Sequence, residues 1–243
     1  MESAAKPNYS RDSWTIQSVL GSSWEKQKGA KGIILLACLI YMVITTIVEL
    51  SYGALLISLD VIEYGDQWDN VTWSVQLVGF FVNVLESPLL YGLLLLGIQR
   101  SAGIPIHVKT IFQPFRFFFL LVGLTLLSSL FTVAGFLLLV LPGIYLALAY
   151  VFSPYLMIKK NMGIWESMET SRKTVTEYWW RYFGLMLLLV LLNIVAAVAL
   201  LVPLAWTIPM TFIAIGEVYN ASFEKNNEGS DTNSNQAYAA PKL

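Results

Sequence analysis

From Phe117 to Ile158 the chain carries no charged residue. A helix crossing the hydrocarbon core of a bilayer needs ~20 mostly apolar residues, so this run is about two crossings long. Leu141-Pro142-Gly143 interrupts it. Proline and glycine are the strongest local turn signals, so the run is expected to fold as two helices joined by a tight hairpin at that point. Other stretches meet the same length. One extends from Gly32 to about Leu59, broken only by Glu49, and another from Val71 to about Gln99, containing Asn83 and Glu86. A fifth helix is expected from about Tyr182 to Val202, broken by Pro203, with a shorter sixth ending near Tyr219. Composition agrees: 56% of residues are hydrophobic and 13% charged, against ~25% charged in ordinary soluble domains. The reading is an all-α polytopic membrane protein of about six transmembrane helices. Residues 1–31 form a cytoplasmic amphipathic segment, residues 32–219 the transmembrane domain and residues 220–243 a polar tail expected to be disordered. The first 31 residues lack the short apolar core of a signal peptide, so the first long run is expected to serve as its own insertion signal.

The basic residues test this count, because cytoplasmic loops collect Lys and Arg. They fall in four groups: Lys6, Arg11, Lys26, Lys28 and Lys31; Arg100, Lys109 and Arg116; Lys159, Lys160, Arg172, Lys173 and Arg181; Lys225 and Lys242. With six spans and the N-terminus inside, every one lies on the cytoplasmic side. Trp68 and Trp73 then mark the outer boundary, and Trp179 and Trp180 the inner one, where aromatic anchors are expected. The outer loop holds Asp60, Glu63, Asp66 and Asp69 without a basic residue. Carboxylates suit a hard divalent cation, but the spacing is not that of an EF-hand, and the plain reading is the acidic complement of the basic inner face. No metal site is assigned.

One unit recurs three times. An amphipathic stretch, beginning near Trp14, Ile104 and Ile164, precedes each helical hairpin, and the returning helix carries a proline: Pro88, Pro154 and Pro209. Proline frees a carbonyl and kinks a helix, so each is a candidate kink. Two readings stand, a shared cavity or joint and prolines simply tolerated in membrane helices. The amphipathic stretches are expected to lie in the headgroup layer; the competing reading is a helix packed beneath the bundle.

Ionisable groups at membrane depth are expensive and are functional candidates by default. Glu49 and Glu86 are two, and Asn83 shares a face with Glu86 at a spacing of three. At ~1.5 Å of rise per residue, Glu49, Asn83, Glu86 and Asn193 fall near one level, with Ser128 and Ser129 alongside. They are taken as a candidate ligand or ion site, with interhelical hydrogen bonding as the structural alternative. Glu217, near the end of its helix, reads as solvated. No metalloprotease, phosphate-loop or Cys–His pattern is present, and no catalytic residue or cofactor is assigned. Cys38 is the one cysteine and His107 the one histidine.

Leu141-Pro142-Gly143-Ile144-Tyr145, the apolar helix through Ser153-Pro154, the segment Trp165-Glu166-Ser167-Met168 with Ser171-Arg172-Lys173, and the apolar helix from Phe183 carry a likeness. Residues 103–219 resemble a group of bacterial six-helix inner-membrane proteins of unknown function. That group is similar to the membrane domain fused to some glycerophosphodiester phosphodiesterases. Trp165-Glu166 departs from the small residue usual in that segment, and no phosphodiesterase domain accompanies it. The resemblance implies a fold and a bacterial inner membrane, not a reaction. The expected function is non-enzymatic, binding or moving lipid or a small amphipathic ligand. Alternatives are an accessory subunit that organises other membrane proteins and a proton-coupled permease. Expected partners are membrane lipids and either a second copy or another membrane protein; net charge of −1 gives no reason to expect nucleic acid.

Overall fold

The computed structural model describes residues 13–59, 73–199 and 202–224. The acidic stretch Asp60–Asp69, Trp68, the first residues of the chain and the tail from Lys225 lie outside them.

The described residues form helices, 3₁₀ turns and connections, with no strand among them. The order is α1 (Ile16–Lys26), α2 (Lys31–Ser58), α3 (Trp73–Ser101), a 3₁₀ segment (Val108–Phe117), α4 (Phe118–Leu138), α5 (Val140–Ala149), α6 (Ser153–Lys160), α7 (Ile164–Glu177), α8 (Trp179–Val198) and α9 (Leu204–Phe223). Five stretches are long and apolar enough to cross a membrane: Lys31–Ser58, Val75–Ser101, Val108–Leu138, Val140–Lys160 and Trp179–Val198. The protein is therefore an all-α, multi-pass membrane protein. The threefold order is visible as α1, the 3₁₀ segment and α7, each followed by an apolar hairpin.

The element expected as the sixth span, α9, has 20 residues and is the most enclosed of the described helices, with every residue from Ile213 through Ala221 buried. It packs most extensively on α3. A helix sheathed by protein need not be as apolar as one facing lipid, and α9 accordingly carries Glu217 and Asn220. It continues to Phe223, past the expected end at Tyr219. Gly97 of α3 and Gly216 of α9 bring the two backbones together: a Cβ on Gly97 would strike the carbonyl of Phe212, and one on Gly216 the carbonyl of Gly97. Small residues permit this approach between membrane helices.

The hairpin between α4 and α5 turns earlier than expected. Its single connecting residue is Leu139, in extended conformation at φ −163°, ψ 155°. Pro142 lies inside the first turn of α5, where the missing N–H would have had no helical partner in any case. Gly143 is needed for packing rather than turning, since a Cβ there would enter the ring of Phe136. Pro154 opens α6 after an interruption at Tyr150–Phe152, whereas Pro88 and Pro209 sit inside α3 and α9. All three prolines are buried.

The helix ends gather at one end of the bundle. Lys160 Nζ donates to the carbonyl of Phe223 at 2.6 Å, joining the ends of α6 and α9. Asn220 Nδ2 donates to Ser101 Oγ at 2.6 Å, joining α9 to the end of α3. Tyr182 Oη and Ser222 Oγ lie 2.6 Å apart, bringing in the start of α8. The same end therefore holds Lys26, Arg100, Lys159, Lys160 and Arg181.

α1 spends much of its apolar face on protein. Trp14 and Val19 are fully buried, and Trp14 meets the ring of Tyr182 edge-on at 5.4 Å. Arg100 clasps its end, donating from Nε to the carbonyl of Lys26 at 2.7 Å and from Nη2 to that of Lys28 at 2.8 Å. Trp24 alone of its large apolar side chains remains well exposed, at 49%. In α7, Met168 and Val175 are buried while Trp165 is exposed. Arg172 bonds both carboxylate oxygens of Glu169 at 2.8 Å. That hydrogen bond, aided by Lys173, holds the Glu169 carboxyl down at about 2, and the same contact raises Arg172 above its ordinary value.

Candidate functional site

The four residues expected at one depth divide into two groups. On α2 and α3, Asn83 Nδ2 donates to Glu49 Oε1 at 3.3 Å and to the carbonyl of Gly79 at 3.0 Å. Glu86, one turn further along α3, lies near Glu49 and Tyr41. Its Oε1 is buried without a hydrogen-bond partner. Glu49 and Asn83 themselves are exposed on the outer face of the hairpin. Ser128 stays on its own helix, donating to the carbonyl of Thr125. Thr125 instead makes the cross-helix contacts, to Ser87 Oγ at 3.0 Å and Tyr91 Oη at 2.8 Å.

Asn193 belongs to a different seam. Its Nδ2 donates to the carbonyl of Leu189 and to Thr211 Oγ1, both at 2.8 Å, and its Oδ1 accepts from Thr207 Oγ1 at 2.9 Å. These bonds tie α8 to α9, away from Glu49 and Glu86. Depth alone could not separate the groups, because equal height leaves the direction around the helix open.

Beside Asn193 runs an open groove of about 420 Å³. From α8 it is lined by Met186, Leu189, Val190, Asn193, Ile194 and Ala197, and from α9 by Thr211 and Ile215. Those α8 positions recur at helical spacing and make one stripe. Between Met186 and Ala197 the stripe rises ~16 Å, close to the ~15 Å of hydrocarbon in one leaflet. Asn193 and Thr211 are the polar residues of an otherwise apolar lining. The surface of the groove is almost wholly apolar.

A third polar centre escaped the sequence reading. Glu217 is fully buried, not solvated. Its Oε1 meets Lys26 Nζ at 2.6 Å and accepts from Ser22 Oγ at 2.8 Å. Lys26 also donates to the carbonyl of Ser101 at 2.6 Å. Glu217 Oε2 and Asn220 Oδ1 are buried without partners. The local signal was Glu217 and Asn220 at a spacing of three on one helix; the partner on α1 gave none. Lys31 of α2 adds a second tie to α9, its ammonium 3.2 Å above the Trp206 ring.

No group of three or more His, Cys, Asp or Glu side chains able to hold a metal ion occurs among the described residues. Comparison with known proteins finds no matching family model, no matching curated protein and no matching solved structure.

Proposed function

We propose that this membrane protein binds a lipid or another small amphiphile in the groove between α8 and α9, without catalysing its conversion. The observation that carries the reading is the trough itself: an apolar wall about one leaflet long, with Asn193 and Thr211 its polar members. The gathering of basic residues at one end supports an orientation with that end in the cytoplasm. The likeness of residues 103–219 to bacterial six-helix proteins supports an inner membrane as the compartment. Native mass spectrometry of protein released from gentle detergent tests the binding. A discrete amphiphile is expected on the wild type and reduced on Ile194→Trp, which fills the trough. Wild type and variant carrying the same lipids in the same amounts would refute it.

A second reading has its own observation. Glu49 and Asn83 are exposed midway along α2 and α3, and polar groups facing hydrocarbon are costly. A neighbouring transmembrane helix would cover them, giving an accessory role. Photocrosslinking from Leu50 in intact membranes separates the two: a discrete protein adduct supports the accessory role, and lipid adducts alone refute it.

A further inference from the structure

The three amphipathic stretches differ in the charge they have left after folding. In α1, Lys26 is taken by Glu217 and the Ser101 carbonyl. In α7, Arg172 and Lys173 both pair with Glu169. Lys159 of α6 pairs with Glu224 at 3.6 Å, and Lys31 of α2 lies over the Trp206 ring. The middle stretch keeps its cations. From Ser87 through Trp165 the sequence contains no Asp or Glu. Lys109 and Arg116 are exposed and meet no carboxylate among the described residues.

The backbone of this stretch sorts its side chains into rows. In a 3₁₀ helix residues three apart eclipse one another. Lys109, Phe112, Phe115 and Phe118 therefore share one row, and Ile111 and Pro114 share another. Ile111 and Pro114 are buried, with Ile111 in the core beside Leu89 and Leu93 of α3. Phe112 and Phe115 are 46% and 41% exposed. Their ring centroids lie 6.3 Å apart, and the Phe115 and Phe118 rings stack at 6.1 Å. The result is an outward aromatic ridge with Lys109 at its head and Arg116 beside it.

Placement along α3 sets the depth of the ridge. Trp73, exposed at the start of α3, suits one membrane boundary. From there ~30 Å of hydrocarbon takes ~20 helical residues and ends near Leu93. The 3₁₀ segment lies against α3 over that same stretch. A Cβ on Gly92 would strike the backbone of Ile111, while Gln99 accepts from Thr110 and donates to Gln113. The ridge thus sits where acyl chains meet headgroups.

We propose that the 3₁₀ segment is a docking surface for anionic phospholipid, with Phe112 and Phe115 among the upper acyl chains and Lys109 and Arg116 on the headgroup phosphates. An amphipathic element with aromatic and basic residues binds an interface through both apolar burial and charge. With every neighbouring charge positive, an anionic headgroup is favoured over a zwitterionic one.

The test uses the full chain carrying Cys38→Ala and Gln113→Cys, labelled with bimane, in phosphatidylcholine nanodiscs. Quenching is titrated with 5-doxyl phosphatidylglycerol and with 5-doxyl phosphatidylcholine. The anionic lipid is expected to reach half-quenching at a mole fraction ~5-fold lower, the span of about one cation at an anionic surface. Lys109→Gln with Arg116→Gln removes no contact inside the protein and is expected to make the two lipids equal. Equal quenching by both lipids before that change overturns the anionic preference. A preference that survives it overturns the assignment to Lys109 and Arg116. Quenching by neither lipid overturns the placement of the ridge in the membrane.

Discussion

Replacing Lys26 by methionine should release α1 from the bundle. The ammonium of Lys26 is held by two 2.6 Å contacts, to Glu217 Oε1 and to the Ser101 carbonyl. Methionine keeps most of the stem and removes the charge. Glu217, fully buried, then retains only the Ser22 hydroxyl on Oε1, while Oε2 has no partner at all. Removing one member of a buried pair costs ~3–5 kcal/mol, chiefly because the other charge stays buried and uncompensated. The least costly escape is local: α1 undocks and water reaches Glu217. A cost of ~3 kcal/mol corresponds to a loss of about 100-fold in the protection of α1 amides against hydrogen exchange. Exchange followed by mass spectrometry in detergent micelles reads this directly, with peptides from Ile16–Lys26 losing protection and peptides from α4 keeping theirs. Adding Glu217→Leu to Lys26→Met should restore much of it, because an apolar pair of similar volume carries no stranded charge. Two results would refute the reasoning: a loss below about fivefold in α1, or a double variant no better protected than the single one.

Other perturbations follow from the same geometry. Gly97→Ala or Gly216→Ala forces a methyl into the opposing backbone, so each should lower folded yield and cost at least ~1–3 kcal/mol in a denaturant titration. Gly21→Ala meets nothing within 4 Å and should stabilise α1 by ~0.5–1 kcal/mol. Glu169 has its carboxyl depressed to about 2 by Arg172, so its contribution to α7 is complete above the ordinary carboxylate range and is lost as pH falls through about 2. Near-ultraviolet dichroism should therefore show no Glu169-dependent change between pH 7 and 5, and a change in strong acid that Glu169→Gln abolishes. Asn83→Ala removes a hydrogen bond between membrane helices, a loss of ~0.6 kcal/mol, and a larger effect in the same titration would show that Asn83 does more than hold α2 to α3.

The apolar runs were legible because a bilayer turns length into a hard constraint. Gly32, Phe117 and Tyr182 fell close to the observed starts of α2, α4 and α8 for that reason. The pattern of amphipathic stretch followed by hairpin was legible because both periods are local. The rest depended on what faces what. Asn193 was grouped with Glu86 by depth, yet its partners Thr207 and Thr211 lie on the next helix of the chain. Glu217 was read as wet from its place near a helix end, and no local pattern announces that α1 covers it. Pro142 marked the hairpin correctly but not its hinge, since proline fits inside a first turn as well as before it.

The clasp between Ser22, Lys26 and Glu217 also sets an order in time. Ser22 and Glu217 are 195 residues apart, and at ~5–20 residues per second the ribosome needs ~10–40 s to travel between them. Throughout that interval α1 exists without the carboxylate that holds its lysine. It must wait at the membrane surface, where Val19, Trp24 and the adjoining Trp14 suit a headgroup layer, while five apolar stretches insert. Only α9 can bring it in. A chain that loses α9 should therefore insert its earlier spans and keep α1 outside the bundle.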